Sequence, residues 1–260
     1  MGKTGTKEWS TVSKNIFHGC KHNCKYCFAR ANALRFKQIE KPEQWTDMKL
    51  NERNLNEKPR FYKGITSRIM MPTTHDIFPE HIDMTVKYLK GWLNAGNSIL
   101  IVSKPHFECI KRLCDELGDY KSQITFRFTI GSLNNDVLKF WEPNAPDFDE
   151  RLKSLKYAYE KGFETSVSCE PYLDNSIEEL VKTLIPFIND TIWIGKMNRI
   201  ANRVDTSKWT MDDYRYLNYV KEAQTDEFVW NLYGKLKDNP KVKWKDSIKQ
   251  VVGLPEEEIG

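Results

Sequence analysis

The stretch Cys20-Lys-His-Asn-Cys24-Lys-Tyr-Cys27 places three cysteines on one short segment near the N-terminus. Thiolates are soft ligands that favour iron–sulfur clusters, zinc or Cu(I). A structural zinc site is closed by four protein ligands, and a [4Fe–4S] cluster usually takes four cysteines as well. Since no fourth cysteine lies nearby in sequence, the spacing predicts a metal centre with one open position. A zinc site completed by His18 or His22 is the alternative interpretation.

The composition limits the class of protein. The chain has 260 residues, of which 40% are hydrophobic, and this suits one domain of the barrel or doubly wound class. A net charge of +4 permits nucleic-acid binding without requiring it. No apolar run approaches the ~20 residues of a membrane span, and residues 1–9 carry no signal-peptide core. We therefore expect a cytoplasmic protein without a membrane partner, in which six cysteines indicate metal binding or catalysis rather than disulfides.

Short β-type runs alternate with amphipathic helical runs over residues 1–205. Six strands are predicted, at Thr11–Phe17, Arg68–Met71, Ile99–Val102, Gln123–Ile130, Glu164–Cys169 and Thr191–Lys196. A helix is predicted at Ile82–Asn94, and capping boxes at Asp147 with Glu150, and at Asn175 with Glu178, predict the starts of two more. This alternation predicts an α/β fold with a parallel sheet and right-handed crossovers. Six units suit an open three-quarter barrel as well as a doubly wound sheet.

The pattern changes after Asp205. Helices are predicted at Met211–Gln224, Glu227–Lys237 and Trp244–Val251. We therefore expect residues 206–260 to form a helical extension packed on the α/β domain of residues 1–205. The lysine-rich run 235–249 within it is interpreted either as a basic stripe for a nucleic-acid backbone or as a solvated helix face.

Polar residues follow several predicted strands. In barrels of this kind the active site lies at the C-terminal ends of the strands. The candidates there are Thr73, Thr74 and Asp76 after the second strand, Ser103 and Lys104 after the third, Ser132 after the fourth, Cys169 and Glu170 at the end of the fifth, and Asn198 after the sixth. A lysine directly behind an apolar strand can form a point-charge contact with a carboxylate. We expect these side chains to face a common cavity beside the cysteines.

The cysteine spacing, with the aromatic Tyr26 before the last cysteine, resembles the signature of the radical S-adenosylmethionine (SAM) superfamily. The resemblance implies a partial (β/α)6 TIM-like barrel in which Cys20, Cys24 and Cys27 hold a [4Fe–4S] cluster. It also implies that SAM chelates the fourth iron through its amino and carboxylate groups. The reduced cluster would then cleave SAM to a 5′-deoxyadenosyl radical that abstracts a hydrogen atom. The electron would come from a donor such as flavodoxin or ferredoxin.

Further segments between Phe17 and Arg199 resemble one branch of that superfamily, the spore photoproduct lyase-like proteins, also called DNA repair photolyase-like. These segments are Gly19-Cys20, Cys27-Phe-Ala-Arg30, Thr74-His-Asp76, Ser103-Lys104, and Glu142-Pro-Asn-Ala-Pro with Arg151. The branch implies that Tyr26 lies near the adenine of SAM and Lys104 near its carboxylate. The cofactor side of the cavity would be completed by Thr73, Thr74, Asp76, Ser103 and Ser132.

The substrate implied by the branch is lesioned or modified nucleic acid. Spore photoproduct lyases use a cysteine at the second strand's exit as a hydrogen donor, and Thr73 stands about there in this chain. Cys169 is the only other cysteine expected to face the cavity, and Glu170 and Asn198 are expected to face the substrate. Two alternatives stay open: a radical SAM enzyme acting on a small metabolite or peptide, and a non-catalytic zinc-binding nucleic-acid module.

Overall fold

The computed structural model describes residues 9–10, 12–62 and 68–255. The strands within these residues are Val12–Ser13 (β1), Phe17–His18 (β2), Lys49–Leu50 (β3), Arg68–Met70 (β4), Ser98–Ser103 (β5), Ile124–Thr129 (β6), Glu164–Cys169 (β7), Ile192–Ile194 (β8) and Val242–Trp244 (β9). β2 and β3 form a separate antiparallel pair. The other strands form one sheet in the order β1-β4-β5-β6-β7-β8-β9, and every neighbouring pair in it is parallel.

Helices connect successive strands of this sheet. They are Phe28–Arg35 (α1), Glu52–Leu55 (α2), Ile82–Asn94 (α3), Phe107–Glu116 (α4), Asn135–Trp141 (α5), Phe148–Glu160 (α6), Ile177–Leu184 (α7), Ile200–Arg203 (α8), Met211–Ala223 (α9), Asp226–Leu236 (α10) and Asp246–Val252 (α11). Short 3-10 turns lie at Pro42–Thr46, Pro79–His81, Gly118–Gln123 and Ile185–Phe187. Parallel strands that follow one another in chain order need such crossovers, so the predicted α/β fold with a parallel sheet is confirmed.

The centre of the sheet is the core of the molecule. β6 is buried along its whole length, and β7 is buried except at Glu164. Both faces of these strands are therefore covered, and the buried positions include polar side chains such as Arg127 and Ser166. On one outer side α4 packs against α3 and α6. The strands therefore end in a row of loops on a rigid core, and these loops carry the polar residues of interest.

The N-terminal part differs in detail from the prediction. The strand predicted over Thr11–Phe17 is split, because Val12–Ser13 pairs with β4 whereas Phe17–His18 pairs with Lys49–Leu50. Thr11 lies outside the described residues. The polar segment that follows α1 contains β3 and α2, and β3 gives β2 its hydrogen-bonding partner. This pair places the cysteine segment beside residues 45–49.

Two local predictions are wrong. The helix α7 does not begin with an Asn175–Glu178 box: Ser176 is its N-cap residue, and the Asp174 carboxylate accepts the Ser176 backbone N–H at 2.9 Å. The predicted cap of α6 is correct at Asp147, whose side chain accepts the Glu150 N–H at 2.9 Å. Glu150 itself does not close a box, because its carboxylate accepts the Phe107 N–H at 2.8 Å instead.

The C-terminal extension is not purely helical. Val242–Trp244 forms β9, which pairs with β8 and adds a seventh strand to the parallel sheet. The lysine-rich run 235–249 is therefore divided among the end of α10, β9 and α11, and Lys245 and Lys249 within it are buried. Neither a continuous basic stripe nor a solvated helix face describes this run. β9 joins residues 206–260 to the sheet of residues 1–205. The division of the chain at residue 205 stays a prediction.

Within the described ranges, no helix combines the length and apolar character needed to cross a membrane.

Candidate active site

A cavity of about 480 Å³ lies at the carboxyl ends of the parallel strands. Its walls are the cysteine loop, defined here as residues 19–27, and the segments that follow β4, β5, β7 and β8. Among the side chains that line it are the predicted residues Cys20, Cys24, Tyr26, Cys27, Thr73, Thr74, Asp76, Ser103, Lys104, Glu170 and Asn198. All predicted site residues except Ser132 and Cys169 therefore meet in one place.

The cysteine loop is fixed at both ends. Gly19 has a φ of +93°, and a Cβ at this position would meet the Trp45 carbonyl oxygen at 2.6 Å, so only glycine allows this approach. The Cys20 N–H donates to the same carbonyl at 2.8 Å. At the other end, the Cys27 Sγ accepts the Arg30 N–H at 3.4 Å and caps α1. The backbone thus sets where the three thiols point.

The thiols of Cys20 and Cys24 lie in an environment that disfavours bare thiolates. Burial raises the pKa of both Cys20 and Cys24, the latter to about 12 although Lys104 opposes the shift. Thiolates here need a positive partner, and metal binding supplies one while displacing the thiol protons. Three soft donors on one cavity wall therefore fit an iron–sulfur cluster, which Cys20, Cys24 and Cys27 would hold. In the parts of the chain that are described, no three His, Cys, Asp or Glu side chains form a site for a single metal ion.

Asp76 ties three segments of the cavity wall together. One carboxylate oxygen accepts the Ile77 N–H at 2.8 Å and the Ser103 hydroxyl, and the other accepts the Lys104 N–H at 2.8 Å. His22 of the cysteine loop lies 3.2 Å from that second oxygen. Burial opposes ionisation, but His22, Lys104 and Ser103 outweigh it and lower the pKa of Asp76 to about 2. Asp76 and Ser103 therefore act as anchors between the strand ends and the cysteine loop.

His22 cannot serve as a free zinc ligand in this arrangement. Its Nδ1 faces Asp76, and its Nε2 lies 3.1 Å from the Nε2 of His106. Both ring nitrogens are thus directed at other protein groups, and the side chain is 1% exposed. His18, the other alternative zinc ligand, is exposed and lies on β2.

A buried ionic network holds Lys104 beside the cysteines. Its ammonium lies 3.7 Å from Glu142, which in turn contacts Arg151 at 2.5 Å and accepts the Tyr26 hydroxyl. Burial opposes the charge on Lys104, but Cys24, Glu142 and Asp76 raise its pKa. The Glu142 carboxyl is fully buried, and Arg151 and Lys104 overcome that burial and lower its pKa. Lys104 is therefore a permanent cation in the cavity wall.

The segments after β7 and β8 carry a second set of polar groups in the cavity wall. Glu170 follows β7, Lys196 and Asn198 follow β8, and Arg203 ends α8. Arg203 is half-buried, and burial together with the neighbouring Arg199 lowers its pKa, whereas Glu170 and Cys27 raise it. Arg203 is thus a partly desolvated guanidinium in the cavity wall, and the charge of Arg199 repels it.

Ser132 and Cys169 do not line the cavity. The Ser132 hydroxyl donates to Asp174 and accepts the Asn134 N–H at 2.8 Å, so it stabilises the loop after β6. Along β7 successive side chains point to opposite faces. Ser168 and Glu170 line the cavity, and Cys169 between them is fully buried on the other side, where burial raises the pKa of its thiol.

Several residues of the site were not singled out by sequence reasoning. Glu142 and Arg151 appeared only within a loose segment, and nothing in their spacing signals contact with Tyr26. Arg203 lies on the short helix α8, which begins after a residue in the left-handed region. Only the topology brings Glu142 and Arg151 behind Tyr26 and Lys104, and Arg203 to the cavity. One sequence signal could have located His22 in the cavity wall. It lies between Cys20 and Cys24, and a side chain at that position must be close to the thiols.

Acid is expected to destabilise the fold through His75. Its Nδ1 donates to the Asp76 carbonyl at 2.8 Å and its Nε2 accepts the Ile16 N–H at 3.1 Å, which requires a neutral ring. Burial lowers the pKa of His75 to about 4. An unfolded chain takes up this proton below about pH 6.5. Stability therefore falls as the pH drops from about 6.5 to about 4, by on the order of 3 kcal/mol.

Urea unfolding of the iron-free chain between pH 7 and pH 4 measures this effect. His75→Asn should flatten the pH dependence, because it removes the proton-binding ring that burial keeps neutral. Asp76 contributes little in this window, because its contribution is present above the unfolded pKa of about 3.9 and is lost as the pH falls from there to the folded pKa of about 2. Equal slopes for wild type and His75→Asn would show that the ring is not held neutral.

Comparison with known proteins identifies the family of this chain. The model of the radical SAM superfamily matches residues 14–185, more than half of the chain. The chain is 28% identical over 193 residues to the uncharacterized protein ORF301 of Acidianus two-tailed virus, and 25% identical over 180 residues to the uncharacterized protein MJ0683 of Methanocaldococcus jannaschii. These alignments cover 70% and 67% of this chain, but only 62% and 66% of the relatives. The chain thus spans less than two thirds of either relative.

A solved structure shares the fold. Spore photoproduct lyase in complex with a dinucleoside spore photoproduct superposes with a TM-score of 0.52 at 15% identity. The match covers 89% of this chain and 75% of that one. At this identity the likeness concerns the fold alone. The alternative of a non-catalytic zinc module is wrong, because the family match covers the cysteine loop and most of the sheet. The chain belongs to the radical SAM superfamily, and membership of this family implies a [4Fe–4S] cluster and S-adenosylmethionine as cofactors.

Proposed function

We propose that this enzyme removes a hydrogen atom from a nucleic-acid substrate that carries a lesion or a modification. The cluster and SAM, when bound, supply a hydrogen-abstracting radical. The chain's own contribution is to hold these cofactors on one wall of the cavity and the substrate on the other. We further propose that flavodoxin or ferredoxin delivers the electron and that the reaction takes place in the cytoplasm.

The part of the cavity formed by the cysteine loop and the segments after β4 and β5 is called here the cofactor wall. Its ligand atoms suggest what each residue would hold. Cys20, Cys24 and Cys27 are proposed as the cluster ligands. Tyr26, Thr73, Thr74 and Lys104 are proposed as SAM contacts, because all four line the cavity beside the thiols. Lys104 supports this most strongly, since a cation held in a cavity wall suits the SAM carboxylate. Asp76 and Ser103 are proposed to act indirectly, because their polar atoms are engaged with each other and with the backbone.

The observation that carries the substrate proposal is the half-buried Arg203. A guanidinium group is costly to desolvate, and here a second one, on Arg199, lies close enough to lower its pKa further. Lys196 adds another cation on the same wall and faces the exposed Asp226 at 3.7 Å. Such a cluster favours an anionic ligand, and Arg binds phosphate oxygens through paired N–H donors. Glu170 and Asn198 beside it suit the polar edge of a base.

The end of the reaction is expected to differ from that of spore photoproduct lyases. All six cysteines lie within the described residues, and only the three of the cysteine loop line the cavity. Cys109 and Cys114 are buried on α4, and Cys169 faces away. Thr73, where those lyases have a thiol, is held by Asn15 at 2.7 Å. We therefore propose that no thiol outside the cysteine loop donates a hydrogen atom back to the substrate radical.

Replacing Arg203 by glutamine should weaken nucleic-acid binding roughly tenfold or more, because a charge-assisted contact is lost. The measurement is fluorescence anisotropy with a short labelled single-stranded DNA or RNA at several salt concentrations. The slope of log affinity against log salt should fall by about 0.7, the value for one phosphate contact on a single strand. Affinity for SAM should stay as in the wild type.

The matched control is Arg112→Gln, which removes a half-exposed arginine on α4 that pairs with Asp83 and Glu116. It should change neither the nucleic-acid affinity nor the slope of log affinity against log salt.

If the wild-type chain has no measurable affinity for DNA or RNA at low salt, the substrate is a small metabolite or peptide instead. If Arg203→Gln weakens SAM binding alone, Arg203 belongs to the cofactor wall. Nucleoside and metabolite profiling of cells with and without the chain would then identify the substrate.

A further inference from the structure

The C-terminal extension reaches the cavity through one row of the sheet. Cys169, Ile194 and Trp244 are aligned across β7, β8 and β9. The residues that follow them, Glu170, Gly195 and Lys245, therefore stand side by side at the strand exits. Neighbouring strands lie about 4.8 Å apart, so the two outer residues are separated by roughly 10 Å of sheet.

The middle residue of this row has no side chain, and the space above it is filled. A Cβ on Gly195 would meet the Cβ and Cγ of Lys245 at 2.9 Å and the Cγ of Glu170 at 3.0 Å. The stems of both outer residues thus lean over the glycine towards each other. Their charged ends come within contact, with the Lys245 Nζ 3.4 Å from the Glu170 Oε2.

The two ends of this pair differ in environment. The Lys245 side chain is 1% exposed, whereas that of Glu170 is 20% exposed and lines the cavity. The Lys245 ammonium also lies 4.3 Å from the ring centroid of Trp9 and 5.6 Å from that of Trp193. A desolvated ammonium gains from aromatic faces at such distances. The cation is therefore built into the wall behind the carboxylate, which faces the cavity.

We propose that Lys245 is a positioning residue that fixes the Glu170 carboxylate towards the substrate. The C-terminal extension is then part of the active site rather than only a cover for the sheet. The substrate side of this assignment rests on the proposed function, in which Glu170 contacts the substrate. The orientation of Glu170 by Lys245 does not depend on which substrate binds.

The test observes the carboxylate directly. The full chain, with its cluster reconstituted and oxidised, is labelled with 13C at the glutamate carboxyl groups, and the Glu170 resonance is assigned by its absence in Glu170→Gln. Lys245→Met should shift that resonance. Lys243→Met, which removes a lysine from the preceding part of β9, should not. SAM cleavage by the wild-type chain is measured on the same preparations, and its absence would overturn the proposed function but not the contact.

A second variant keeps both charges. Gly195→Ala fills the space over which the stems meet, so it should shift the Glu170 resonance as Lys245→Met does. Its control is Gly234→Ala on α10, where an added Cβ meets no atom within 4 Å. If Lys245→Met does not fold, an unchanged resonance in this variant still overturns the proposal. A Glu170 resonance that is unchanged in Gly195→Ala, or in a folded Lys245→Met, overturns the proposal.

Discussion

Replacing Cys24 by alanine is expected to abolish cluster binding and, with it, all cleavage of SAM. The wild-type chain should take up about four irons when reconstituted without oxygen, as a [4Fe–4S] cluster requires. Cys24 is buried in the cavity wall beside Lys104, and its loop is fixed by Gly19 and by the cap of α1, so no other side chain can move in to replace the thiolate. Iron content and the yield of 5′-deoxyadenosine measure the loss. Cys20→Ala and Cys27→Ala should behave alike.

The matched control is Cys114→Ala. This cysteine is buried on α4 and does not line the cavity. The variant should keep the wild-type iron content and the wild-type yield of 5′-deoxyadenosine. A Cys24→Ala protein that retained a full cluster and cleaved SAM would remove the cysteine loop from the proposed cofactor site.

Glu142→Gln is expected to destabilise the folded protein strongly. The substitution keeps the shape of the side chain but leaves Arg151, which is fully buried, and Lys104 without their carboxylate. Breaking a buried pair by removing one partner typically costs about 3–5 kcal/mol, because the remaining charge is uncompensated. Urea unfolding should show a lower midpoint at an unchanged slope. SAM affinity should also fall, since Lys104 loses a group that holds it.

Glu178→Gln provides the comparison for this prediction. Glu178 pairs with Lys182 and Lys235 on the surface, and those contacts lower its pKa to about 2. Despite that shift, loss of a solvent-exposed ion pair has a small effect on stability. If Glu142→Gln were as mild as Glu178→Gln, the network of Lys104, Glu142 and Arg151 would not support the site.

The sequence predicted the repeating part of the fold closely. An apolar run located β5, β-type runs located β6 and β7, and α3 was predicted at its observed bounds, because burial on a sheet or on one helix face dominates those segments. β9 was missed because its three residues lie in a lysine-rich run that reads as helix. The split of the first strand was missed because its partners, β3 and β4, are set by tertiary pairing rather than by local pattern.

The candidate site also combines residues that a local rule locates with contacts that only the tertiary structure reveals. Residues immediately after strands were found from the rule that barrel sites lie at strand ends, and most of them line the cavity. Cys169 was placed in the cavity together with its neighbour Glu170, which the alternation of side chains along a strand forbids. The contact of Glu142 with Tyr26, and that of Lys245 with Glu170, join distant parts of the chain. Only the assembled sheet reveals them.

The most direct measurement is the fate of SAM on the reconstituted wild-type chain. The protein is loaded with iron and sulfide without oxygen, reduced, and supplied with SAM, and 5′-deoxyadenosine and methionine are quantified. Both products are expected, in amounts that disappear when the reductant is left out. A chain that binds about four irons yet leaves SAM intact when reduced, or that takes up zinc and no iron, would contradict this expectation.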